Sequence, residues 1–88
     1  MIFFKVAYEN ASTTATRAAL VSIADVEECV NLRISHGEDA FLVAIRRRHT
    51  PKNVEKFAKL IQDKVWAVNN GAYCMASEVS FEYYDSHM

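Results

Sequence analysis

Polar and apolar positions alternate cleanly near the start of the chain. From Ile2 to Glu9, Ile2, Phe4, Val6 and Tyr8 fall on one side, and Phe3, Lys5, Ala7 and Glu9 on the other. That period of two predicts a strand with one core face. The stretch Asp39 to Arg48 differs. Phe41, Val43 and Ile45 alternate with Ala40, Leu42 and Ala44, so both sets are apolar, and the run then stops at three arginines. A short run apolar on both faces predicts an interior strand, with neighbours on either edge.

The stretch between these two is ambiguous. Thr13, Thr14, Thr16, Val21 and Ile23 favour a strand, which would close a hairpin on the first strand after a turn at Asn10-Ala11-Ser12. The competing reading is one long helix from Thr14 to Ser35, with Leu20, Ile23, Val26, Val30 and Ile34 as its stripe. The hairpin is preferred because Ser22 with Asp25, and Asp25 with Glu28, have the spacing of a helix-start capping box. A first helix is therefore predicted over Asp25 to Ser35, burying Val26, Cys29, Val30 and Ile34, with Gly37 as its C-terminal cap.

Thr50-Pro51 is the strongest punctuation. Threonine can accept the free amides of a first helical turn, and proline fits the position where no amide hydrogen is missed. The helix predicted from Pro51 to Val68 carries Val54, Phe57, Ala58, Ile61, Val65 and Val68 at three- and four-residue spacing. Glu55 and Lys59 are an expected i,i+4 pair, and Asn69-Asn70-Gly71 ends the element. Tyr73 to Tyr84 then reads as one long strand, with Asp85 to Met88 a frayed end. Trp66 lies just off the apolar stripe. It is expected over the helix–sheet seam, with an exposed binding anchor as the alternative.

The predicted fold is thus a single α+β domain over residues 1–88, a two-layer sandwich of order ββαβαβ. Its four-stranded, mostly antiparallel sheet carries two helices on one face. At 88 residues, 51% hydrophobic, with two glycines and one proline, the chain can bury one such core and does not read as disordered. By parity the other face would hold Phe3, Lys5, Ala7, Leu42, Ala44, Arg46, Arg48, Ala76, Glu78, Ser80, Glu82 and Tyr84.

Net charge is −1, but it is unevenly spread. Arg46 to Lys64 holds seven Lys/Arg against two acids, and the remainder three against nine. Arg46, Arg47, Arg48, Lys52 and Lys56 therefore form a candidate phosphate-holding cluster for nucleic acid. The bland alternative is a strand end meeting water, its arginines paired with Glu78 and Glu82. Asp39 to Val43 has neither the glycines nor the aromatic spacing of an RNA-binding sheet.

Other chemistry finds little footing. His36, Glu38, Asp39 and His49 flank the central strand, but its two ends lie roughly 30 Å apart when extended, too far to share a metal. No zinc-type cysteine spacing, nucleophile elbow or glycine-rich phosphate loop is present. Cys29 and Cys74 read as buried reduced thiols of a cytosolic chain rather than a disulfide. No apolar export or membrane-spanning segment is evident.

No cofactor, metal or catalytic residue is therefore expected. The functional expectation is a non-catalytic protein-binding domain, docking a partner or itself through Phe3, Lys5, Leu42, Arg46, Arg48 and Tyr84. Compact inhibitors carried by phage and other mobile elements share that form. The alternative is a nucleic-acid-binding module.

Overall fold

The computed structural model describes residues 1–9, 11–33 and 39–87. The expected class holds. It is an α+β fold whose four-stranded antiparallel sheet carries two helices on one face. The elements are β1 (Ile2–Tyr8), α1 (Thr13–Val21), β2 (Val26–Arg33), β3 (Asp39–Ile45), α2 (Pro51–Val68), β4 (Cys74–Val79) and α3 (Phe81–Ser86). The strand order is β2-β3-β1-β4. With the connectivity β-α-β-β-α-β this is the split β-α-β arrangement, ferredoxin-like in topology.

Two elements exchange character relative to the sequence reading. Thr13–Val21 is a helix, not the second strand of a hairpin. Ser12 sits in extended backbone and its hydroxyl accepts from the Ala15 amide, which starts the helix and outweighs the β-branched threonines. Thr16 is buried because Asn69, at the end of α2, donates to its hydroxyl at 3.0 Å. The same Asn69 side chain donates to the Val65 carbonyl and accepts from the Ser12 amide, tying the start of α1 to the end of α2.

Val26–Arg33 is a strand, not a helix. A register shift between Val26 and Glu28 inserts one residue, so Val26 and Cys29 both face the helices, opposite Ile45 and Val43. That bulge produces the three-residue spacing that imitates a helical stripe. The acids that resembled a cap have tertiary partners instead, Asp25 with Arg47 and Glu28 with the Tyr84 phenol. Ile34, Ser35 and the predicted cap Gly37 lie outside the described residues.

The remaining elements follow the pattern more closely. β3 is interior and Phe41 to Ala44 are buried on both sides, as expected, but the strand ends at Ile45. In α2, Thr50 accepts from the Asn53 amide with Pro51 in the first turn. Lys59 pairs with Asp63 at 2.8 Å rather than with Glu55. The helix closes through Asn70 and Gly71, both at positive φ. Trp66 does not cover the seam. It is 59% exposed, with its ring lying over Gly71.

The main core lies between the helices and the first face of the sheet. Ile2, Phe4, Val6, Phe41, Val43 and Ile45 meet Leu20, Phe57, Ile61 and Val65 there. Tyr8 stacks on Phe41 with ring centroids 5.7 Å apart. Each edge strand is also touched by a helix side chain. Arg17 donates to the Cys29 carbonyl on β2, and Gln62 accepts from the Ala76 amide on β4.

Candidate docking surface

The second face of the sheet is set by register. One row runs Glu28, Ala44, Phe3, Val79, and the next runs Val30, Leu42, Lys5, Ser77. Phe3, Lys5, Ala7, Leu42 and Ala44 lie where parity puts them. Ala76 and Glu78 do not. They face the helix side, opposite Val6 and Phe4, and Met75, Ser77 and Val79 take the second face instead.

The long final strand of the sequence reading is broken at Ser80. Its hydroxyl accepts from the Tyr83 amide and starts α3, with Glu82 in the first turn. The chain then turns back over the second face. Phe81 and Tyr84, one turn apart, bring their rings to 5.6 and 4.7 Å from the Phe3 ring. Tyr84 forms a small second core with Leu42 and Ala44, flanked by Phe3, Leu32 and Tyr83. The expected open face is therefore roofed at one end. Leu42 is fully buried and Tyr84 is 4% exposed. Tyr84 belongs to the surface as a helical cover, not as a strand position.

The phenol of Tyr84 donates to the Glu28 carboxylate on β2. Burial first, and then the adjoining carboxylate, hold this phenol well above the ordinary tyrosine range. A shallow recess of about 370 Å³ opens beside the helix, lined by Met1, Phe3, Glu27, Glu28, Ala44, Phe81 and Tyr84. Phe81 and Met1 stand on its rim, 57% and 46% exposed.

The basic segment is partly neutralised from within. Arg46 and Arg48 are not on a sheet face, because the strand stops before them. Arg46 donates to Glu27 and Arg47 pairs with Asp25 at 3.1 Å, in place of the expected Glu78 and Glu82. Glu78 meets His49 instead. The Arg47 guanidinium and the Lys56 ammonium lie 5.9 and 5.5 Å from the centre of the Phe57 ring. Arg48 and Lys52 are exposed. The Arg48 carbonyl accepts from the Asn53 side chain, which holds the loop rather than the guanidinium.

The structure thus gathers Phe3, Leu42 and Tyr84 into one cluster, with Lys5 one row away on the same face. Arg46 reaches its margin through Glu27, and Arg48 lies in the loop leading to α2. Phe81, Glu27 and Glu28 were missed by sequence reasoning. The Ser80-x-x-Tyr83 cap and the Phe81/Tyr84 spacing were the available signal for the first of them.

Among the described residues no cluster of His, Cys, Asp or Glu could hold a metal. His36 and Glu38 lie outside that set. Cys29 and Cys74 are free and sit on opposite edge strands, about 14 Å apart at ordinary strand spacing, too far for a disulfide. Burial pushes both thiols up to about 11. No helix of the described residues is long and apolar enough to cross a membrane. Comparison with known proteins finds no matching family, no matching curated protein and no matching solved structure.

Proposed function

We propose that this chain is a small, non-catalytic binding domain of the cytosol that docks a protein partner across the second face of its sheet. The observation that carries the reading is the pair of exposed apolar side chains, Phe81 and Met1, standing beside half-buried Phe3 at the rim of the recess where α3 covers Leu42 and Ala44. Large apolar side chains exposed together at one place, rather than scattered singly, mark a contact site. Phe3, Lys5 and Phe81 supply the contact, Leu42 and Tyr84 its floor and roof, and Arg46 and Arg48 a charged margin. Inhibition of the partner is the regulatory role such a domain fits. Thiols held protonated by burial are poor nucleophiles, which supports binding over covalent catalysis.

The nucleic-acid alternative draws less support. Arg46 and Arg47 are already matched by Glu27 and Asp25, which takes two of the basic side chains away from a phosphate backbone. A photo-crosslinking residue placed at Phe81 in the native host, with one at Lys59 as control, separates the two. Docking predicts a protein crosslinked only from position 81, persisting in high salt and lost on Phe3→Lys. Binding that collapses with salt and with charge reversal at Arg46 and Arg48, while ignoring Phe3→Lys, replaces this reading with the nucleic-acid one.

A further inference from the structure

The covering helix and the apolar strip Phe3–Leu42–Ala44 beneath it have one more property in common, and this inference rests on the docking reading above. The strip is charge-balanced in a particular way. On the second face, Glu28 lies on β2 at one side of the Leu42–Ala44 ridge and Lys5 lies on β1 at the other. They are two strands and one two-residue step apart, about 12 Å between backbones at ordinary sheet spacing. Among the described residues Glu28 is matched by the Tyr84 phenol, and Lys5 makes no ion pair.

A surface with an apolar ridge, an anion on one flank and a cation on the other is complementary to itself. A two-fold axis through the ridge sets each cation against the other copy's anion, which is the requirement of an isologous interface. The same surface fits nucleic acid poorly, since it offers one cation.

We infer that this strip is the contact surface for a second copy of the chain, and that α3 is a strap that keeps it covered. When Tyr84 leaves Glu28, the ridge is uncovered and Glu28 loses its donor. Lys5 of each copy then faces Glu28 of the other. The strap is small enough to release. Ser80 alone joins it to β4, and among the described residues it is held by the Tyr84 ring packed on Phe3, Leu42 and Ala44, by the Phe81 ring on Phe3, and by the Tyr84 hydrogen bond to the exposed Glu28 carboxylate.

Sedimentation velocity over a concentration series tests this, using the full chain with Tyr84→Phe, which keeps the ring and removes the donor. Tyr84→Ala opens the strap further, and circular dichroism confirms that each variant is folded. The wild type sediments as the 10.0 kDa monomer where the variants approach twice that mass. Loss of this hydrogen bond, with Glu28 free to turn to water, shifts the opening equilibrium by about fivefold, so the apparent dimer Kd falls by at least about that factor. In the Tyr84→Phe background, Lys5→Glu abolishes the dimer and adding Glu28→Lys restores it.

Folded variants that stay monomeric, a wild type as dimeric as Tyr84→Phe, or association indifferent to the charge swap each overturn the inference. If the variants stay monomeric while position 81 still crosslinks a different protein, the second copy is removed and the docking reading stands. If position 81 also captures nothing beyond the control, both fall.

Discussion

The two faces of this sheet are made from the same strands but are covered very differently. One lies under α1 and α2, nine and eighteen residues long, which place Leu20, Phe57, Ile61 and Val65 against it. The other carries α3, six residues long, with one buried side chain. Stability resides on the first face, where many side chains interlock and a polar tie at Asn69 fixes one helix to the other. The second face has the opposite economy of contacts. A cover this short rests on a small cluster around Tyr84 and its link to Glu28, so it is expected to open before the rest of the domain unfolds.

That contrast can be broken at several points. The largest effect is expected from Phe57→Ala, which empties fully buried space between α2 and the sheet. A loss of about 3–5 kcal/mol in urea unfolding is expected. Leu42→Ala removes an equally buried side chain on the other face, yet it should fall at the low end, about 2 kcal/mol, because α3 can settle into the gap. Equal losses at the two positions would mean that the second face is as rigidly packed as the first.

Asn69→Ala leaves the buried Thr16 hydroxyl and the Ser12 amide without their side-chain partner. About 1–2 kcal/mol of global stability should go with it. The α3 amides, exchanging through local opening, should keep the exchange rate they have in the wild type while the core amides speed up.

The smallest effect concerns pH. The Tyr84 phenol is held above the usual range, so it stays neutral in the fold while an unfolded chain ionises near pH 10. Its contribution is complete below that pH and is lost as pH rises beyond it. An ultraviolet titration of the folded chain should show a tyrosine step well above the ordinary range. Tyr84→Phe should remove that late step and leave stability at neutral pH changed by about 1 kcal/mol, since Glu28 can turn to water.

Much of the first face could be read in the sequence. The alternation in β1, the doubly apolar β3 and the Thr50-Pro51 start of α2 each carry a local signal that agrees with the final packing. The elements that escaped did so for identifiable reasons. In β2 an inserted residue at Glu27 turned a period of two into an apparent period of three, and acids with distant partners resembled a helix cap. In α1 three threonines argued for a strand, although the buried one has its hydroxyl satisfied by an asparagine 53 positions away.

At the end of the chain, extending the alternation past Ser80 gave the right face to Tyr84 by the wrong route. The strand positions before it were assigned to the wrong side. The candidate surface was legible as a patch, through Phe3 and Leu42. Its cover was not, because what decides it is a contact between Tyr84 and a carboxylate 56 positions away.

The margins of the sheet bear on how copies of this chain can meet. An unguarded edge strand invites another chain to extend the hydrogen-bonded ladder, and such growth has no natural end. Here β2 is bulged and has a carbonyl taken by Arg17, while β4 is short and has an amide taken by Gln62. Sideways addition of strands, the route to fibres, is thereby discouraged at both borders. The proposed pairing of two copies across the second face uses neither border, and such a contact stops at two.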